Sequence, residues 1–356
     1  MTSRANILTT LAGLFVAWIA FDLLVWAYGE SPRELAVLVF QGTWGTAYGA
    51  GQVLFKATPL LFAGVAVRLA LRAGLFNIGA EGQLTIGSLA AAVVAARISA
   101  SVPPIVAIPL VVLTAMAAGA LWAAIPALLR ARYGAHEVIS TIMMNRIADA
   151  TVGLAFASGL ALAGTIRTAP IRDAAKVPRL EAVFSAFHGS AVSFAIVFAI
   201  VVAFLALSWQ RRSRLGREMS LVGENPAACA AEGIPVARRL VLALLLSGAI
   251  AALGSTGTVL GYKGYFEQGL GAGAGFGGIA VALLGRGSAL GLLLAALLFG
   301  TLAQGGLAIN AHVPMEMMDV LQGIVIIAVA LGDTRIRAQL SRELLAPFRN
   351  RSAAAS

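Results

Sequence analysis

ISASVPPIVAIPLVVLTAMAAGALWAAIPALL, residues 98–129, contains no Asp, Glu, Lys or Arg. A helix needs about 20 residues to cross the hydrocarbon core of a bilayer, and every backbone amide must be satisfied within it. This stretch exceeds that length, so it reads as a membrane span and not as a buried helix of a soluble domain. Residues 182–210, 240–262 and 287–315 are equally free of those four residue types. Weaker apolar runs cover 7–28, with Asp22 near its far end, 53–71, 82–96, 140–163, 271–285 and 317–332. Together they predict an all-α polytopic membrane protein of about ten transmembrane helices. The eighth run is short and glycine-rich, and is either a crossing or a re-entrant segment covered by protein.

The composition supports this class. Of 356 residues, 59% are hydrophobic and only 12% charged, whereas soluble domains carry about 25% charged residues. Too few charges remain to build a water-exposed surface. The net charge of +10 could suggest nucleic acid, but the cations are spread among loops that flank the apolar runs, so no nucleic-acid partner is expected. With the N-terminus inside, most of the 26 Lys and Arg fall on the inner side, which predicts both termini in the cytoplasm. The first run has no clear cleavage site and reads as an uncleaved helix. The predicted organisation is a transmembrane domain over 1–334 and a cytoplasmic tail over 335–356, with membrane lipid as the surrounding partner.

Two loops are long enough to do more than connect. The outer one, 164–189, carries Arg167, Arg172, Asp173, Lys176, Arg179 and Glu181, a mixed-charge surface for a soluble partner or simply a solvated loop. In the inner one, 210–239, Asn225 and Pro226 read as a helix start, and Gly233 with Pro235 as a stop. The order of spans is compatible with an inverted repeat relating helices 2–5 to helices 7–10, an arrangement that places a pathway at the repeat interface.

Several chemistries are not supported. The single cysteine, Cys229, excludes an internal disulfide, and His136, His188 and His312 lack metal-ligand spacing, so no bound metal or cofactor is expected. The three lysines, Lys56, Lys176 and Lys263, do not sit in a GxxxxGK[ST] loop, so ATP hydrolysis requires another chain. An ion-driven transporter would need a carboxylate deep in a span, but Asp22 and Asp319 lie near predicted outer ends, and Asp149 can pair with Arg146 at i, i+3. No paired Ser/Lys, twin Asp or HExxH arrangement supports an intramembrane enzyme.

Four strings carry a resemblance. LFNIGAEGQ (75–83) precedes a Gly/Ala-rich run, HEVISTIMMNRIAD (136–149) opens another, GENPAACAAEGI (223–234) lies in the inner loop, and YFEQGLGAGAGFGGIAVALLGRGSALG covers 265–291. Together they resemble nucleoside-type permeases of the ABC importer superfamily related to ribose and branched-chain amino acid permeases. The resemblance implies a permease subunit of an ATP-driven importer for nucleosides or related small polar solutes, in a bacterial cytoplasmic membrane. A permease for a sugar in the same superfamily is the alternative. Its implied partners are a cytoplasmic ATPase that binds ATP and Mg, a second and different permease chain, and an external binding protein or lipoprotein.

The resemblance also assigns candidate residues. Asn77, Glu81, Gln83, Asn145, Phe266, Glu267 and Gln268 are candidates for the solute pathway. From the residues alone, Asn77 and Glu81 could equally cap a helix N-terminus, and Asn145 could make a helix–helix hydrogen bond. Gly223, Glu224, Asn225, Ala227, Ala228, Gly233 and Ile234 match the helix that couples such permeases to the ATPase. Small side chains there allow close approach of a partner, and the flanking glycines allow sharp entry and exit.

Overall fold

A computed structural model describes residues 15–332 except positions 17, 272, 286 and 315. The start of the first predicted span and the tail predicted for 335–356 lie outside the described residues. The structure is helical, and its only strand-like features among the described residues are three isolated bridges. The helices are α1 (Trp18–Ala27), α2 (Pro32–Gly42), α3 (Ala47–Arg72), α4 (Ala80–Arg97), α5 (Pro104–Tyr133), α6 (Glu137–Ala155) and α7 (Ala195–Arg212). There follow α8 (Arg214–Glu224), α9 (Pro226–Ala231), α10 (Val236–Ala252), α11 (Ala274–Leu284), α12 (Ala289–Ile309) and α13 (Glu316–Gly332).

Five of them are long and apolar enough to cross a membrane: α3, α5, α7, α12, and α10 with the π-helical continuation that carries it to Lys263. Local chemistry sets their ends. Thr46 accepts a hydrogen bond from the Gly49 amide at 3.0 Å and starts α3. Pro104 opens α5, and Gly134, at φ +65°, closes it after Arg130 and Arg132 in the last turn.

The chain divides into two compact units. In the one formed by 1–42 and 302–356, Val25 and Leu35 pack with Ile309, Val313, Met317, Met318 and Leu321. In the other, 43–301, α3 and α10 are central, with 78% and 72% of their apolar windows buried, whereas α5 has 22%. Ile105, Leu113 and Leu121 of α5 are therefore exposed apolar side chains, suited to lipid or a neighbouring subunit.

Within 43–301, α10 packs along α5, α11 along α3, and α4 along α5. The α5–α10 crossing is close because Gly119 and Gly248 face each other. A Cβ on Gly248 would lie 2.6 Å from Ala123 Cβ and overlap the Gly119 carbonyl. Replacing Gly248 with leucine is expected to cost about 1–3 kcal/mol or more, because backbone on the opposing helix cannot swing aside. The result should be a lower melting temperature and a broadened size-exclusion peak in detergent; an unchanged profile would mean that these helices do not touch.

The structure corrects several boundaries. The apolar run 182–210 is not one helix: residues 180–187 form short 3-10 turns and α7 starts only at Ala195. Only the end of the non-helical part is packed: Ser190, Ala191, Val192 and Ser193 are buried, while Val183 and Phe184 are exposed. The run 140–163 leaves α-geometry at Phe156 and is broken by Gly159 at φ +96°. Two helices, α2 and α8, occupy stretches expected to be loops. The eighth run contains α11, whose 11 residues span only about 16 Å, too short to cross the core unaided.

Candidate functional site

The turn between α3 and α4 brings the first set of candidate residues together. Gly74, at φ +73°, reverses the chain and Asn77 enters the interior with no exposure. Its Nδ2 donates to Gln83 Oε1 at 2.9 Å and to Ser247 Oγ at 2.7 Å, while its Oδ1 accepts from the Gly79 amide at 3.0 Å and from Gln83 Nε2 at 3.2 Å. Ser247 in turn donates to the Ala66 carbonyl at 2.8 Å. One chain of hydrogen bonds thus ties α3, α4 and α10 to the turn between them. A buried amide with every donor and acceptor used rigidifies its surroundings.

Asn145 serves the same segment from α6. Its Oδ1 accepts from the Gly82 amide at 2.9 Å and its Nδ2 donates to the Ile78 carbonyl at 3.0 Å. The cap residue of α4 is Gly79, which has no side chain to satisfy the first-turn amides, so a neighbouring helix supplies the acceptor. Glu137, almost buried at the start of α6, holds Arg130 at 3.5 Å and accepts from the Phe76 amide at 3.5 Å.

Glu81 lies in the first turn of α4, but its carboxylate caps a different helix. Oε1 accepts from the Gly273 amide at 2.8 Å and Oε2 from the Gly275 amide at 2.7 Å, at the start of α11. Anionic oxygen on unpaired amides at a helix N-terminus is favourable. Gly275 is required for this approach, because a Cβ there would lie 2.7 Å from Glu81 Oε2 and overlap the Glu81 backbone.

Phe266, Glu267 and Gln268 diverge. Phe266 is 1% exposed and packs edge-on against Phe156, with ring centroids 6.1 Å apart, so it belongs to a core and does not line an open mouth in this conformation. Glu267 pairs with Lys263 at 3.5 Å, and Gln268 is exposed. The segment is anchored to 164–168: the Thr168 amide donates to the Phe266 carbonyl at 2.8 Å, and Arg167 stacks 4.9 Å above the Tyr265 ring. In the same long loop, the Gly189 amide, followed by Arg179, holds the Glu181 carboxyl below its ordinary range. Among the described residues, Ser88 Oγ and Ser255 Oγ are buried without a hydrogen-bond partner.

The second set lies on α8 and α9. Asn225 Oδ1 accepts from the Ala228 amide at 3.0 Å, and Pro226 occupies the first helical position, so α9 begins where the sequence predicts. Gly233, at φ +77°, ends the segment. Glu224, Ala227, Ala228, Ala230 and Ala231 are exposed, Ile234 is half-buried, and Cys229 turns inward. Gly223 differs from the others, because a Cβ there would lie 2.6 Å from the Gly74 nitrogen and 2.7 Å from the Ala73 carbonyl carbon. It joins α8 to the α3–α4 turn and does not face outward.

The pair of helices is tied to the spans by Glu218. Its carboxylate accepts from Arg214 Nε at 2.8 Å and from Arg239 at 2.6 Å, and these hydrogen bonds hold it below the ordinary carboxylate range. Ser213 caps α8 through the Gly216 amide at 3.0 Å. The burial of Gly216, Met219 and Val222 on one face is a helical spacing that the sequence carries within its run of arginines. Ser247, by contrast, sits in an apolar run and gives no local sign of its role.

A network of buried amides inside long apolar helices, joined through one turn to a small-residue helix, belongs to a multi-pass membrane protein. The chain belongs to the family described as branched-chain amino acid transport system / permease component, whose model matches residues 49–330. It is 35% identical to the guanosine ABC transporter permease protein NupP of Bacillus subtilis, over 92% of this chain and 93% of that one. It is also 35% identical to the glucose ABC transporter permease protein TsgB13 of Haloferax volcanii, over 90% and 85% of the two chains. A second Bacillus subtilis protein, guanosine ABC transporter permease protein NupQ, is 27% identical over 69% of this chain and 78% of its own. No solved structure gives a significant match.

Proposed function

We propose that this chain is one of two permease subunits of an ATP-driven importer for nucleosides. The observation that carries the reading is α9, a capped helix whose exposed face is built from Ala227, Ala228, Ala230 and Ala231. Such a face can enter a groove on another protein with little steric cost, and Gly223 transmits its displacement to the turn that holds Asn77. The partner is a cytoplasmic ATPase, since the chain has no phosphate loop of its own. ATP binding there would move α8 and α9, and with them the α3–α4 turn, between two arrangements of the helices.

The second permease is a different chain. Two B. subtilis guanosine permeases match this sequence at unequal identity, which supports a pair of related but distinct subunits. An external binding protein delivers the solute, about ten spans with inverted repeats form the pathway, and both termini lie in the cytoplasm. Asn77, Gln83 and Asn145 hold the pathway helices in register, while Glu81 positions α11 beside them. A sugar is the second reading for the solute, favoured by the similarity to TsgB13.

Ala228→Trp is expected to abolish copurification of the ATPase and ATP-driven uptake of radiolabelled guanosine, while membrane insertion is retained. Recovery of an intact complex with this variant would remove the coupling assignment. Uptake of glucose but not guanosine by the unaltered assembly would transfer the reading to the sugar.

A further inference from the structure

A recess of about 280 Å³ opens where the ends of α3 and α7 meet α8. Arg68, Arg72, Arg211 and Arg217 line it, with Gln210 and Gly287 among its other walls. None of these four arginines takes part in an ion pair among the described residues. Arg130, Arg146, Arg179, Arg214 and Arg239 find carboxylates; what separates the four from other arginines without an ion pair among the described residues, such as Arg132 and Arg212, is that they share one opening. Four like charges around one opening repel one another unless an anion lies between them.

The recess is built, and not a chance meeting of long side chains. Gly287, at φ +78°, has no side chain, and a Cβ there would lie 2.8 Å from Arg68 Nε and 2.9 Å from its Cζ. The same residue's carbonyl accepts from Arg211 Nη2 at 2.5 Å. One glycine therefore leaves room for the Arg68 guanidinium and holds that of Arg211. Gln210 Nε2 donates to the Leu69 carbonyl at 3.1 Å and fixes the end of α7 against α3. Arg72 and Arg211 lie in the last turns of apolar helices long enough to cross a membrane, the end of a span where basic side chains meet lipid headgroups.

We propose that this recess binds a phosphate group, held by the paired N–H forks of Arg68 and Arg211 and closed by Arg72 and Arg217. Guanidinium matches the oxygen geometry of phosphate in a way that a lysine ammonium does not. An anionic lipid headgroup and soluble phosphate share this chemistry, and the position at the helix ends favours the lipid. A phosphate there would tie α8 to two spans. That consequence rests on the coupling role given to α8 and α9, but the binding itself does not.

The test uses the full-length chain in neutral detergent, without ATPase or substrate. Native mass spectrometry should show one phosphatidylglycerol retained and phosphatidylcholine lost. R68Q/R211Q should reduce that retention roughly tenfold, whereas R132Q/R212Q, which removes the same charge from the same face outside the recess, should not. The single variant R217Q, which leaves Arg68 and Arg211 and their contacts with Gly287 in place, should weaken retention measurably even if the double variant folds poorly. A rise in melting temperature with inorganic phosphate, absent with chloride at equal ionic strength and lost in R217Q, would identify soluble phosphate as the source. Equal retention in R68Q/R211Q, R217Q and the unaltered chain, equal loss in both double variants, or equal retention of phosphatidylcholine would each overturn the proposal.

Discussion

Asn77→Leu is expected to lower the melting temperature of the detergent-solubilised protein sharply and to reduce uptake to background. The leucine would match the branched shape of the amide but strand Gln83, the Ser247 hydroxyl and the Gly79 amide, each of which bonds to Asn77 now. An interhelical hydrogen bond in a bilayer averages only about 0.6 kcal/mol when both partners can re-pair. The larger figure applies here, because a buried group left without a partner costs about 1–3 kcal/mol. Three groups lose a partner together, so their sum is comparable to the stability of a small domain. The measurement is thermal unfolding followed by size exclusion. A melting temperature within error of the unaltered protein would show that the network is not closed, and that these amides are free to meet a solute.

The second large effect is expected at Gly223, where valine should separate transport from folding. Its Cβ would overlap the Arg72 carbonyl and crowd Gly74 and Ala73, all backbone atoms at the end of α3. Over-packing of this kind costs about 1–3 kcal/mol, and α8 can relieve it by lifting away from the turn. The spans do not depend on that contact, so insertion and the melting temperature should change little. Uptake should fall at least about tenfold, since 1.4 kcal/mol of lost coupling already amounts to that factor. Gly233→Val is the informative comparison: no neighbouring atom lies within 4 Å of a Cβ there, but the positive φ of +77° resists a branched side chain. If Gly223→Val transports normally and Gly233→Val does not, force passes through the exit of α9 and not through α8.

The three amides illustrate how far local reading reaches. Asn77, Gln83 and Asn145 stand out in the sequence because amides at lipid depth are costly, so each must meet protein, water or a solute. In this conformation each meets protein. Asn145 makes a helix–helix hydrogen bond to the first turn of α4. Glu81 also behaves as a cap, but for α11, nearly two hundred positions further along the chain. Nothing near Glu81 in sequence could identify that partner.

By itself, the sequence determined the membrane class, the apolar character of the long helices and the start and stop of α9. Each follows from chemistry within a few residues: hydrocarbon excludes charge, an Asn side chain satisfies an orphan amide, and glycine accepts a positive φ. Tertiary structure alone decided that α7 starts at Ala195, that Ser247 completes a polar chain, that Gly223 faces inward, and that four arginines share one recess. Those outcomes depend on which backbones approach closely enough to touch. Such approach is set by packing between segments far apart in sequence, and leaves no periodic or local mark on any one of them.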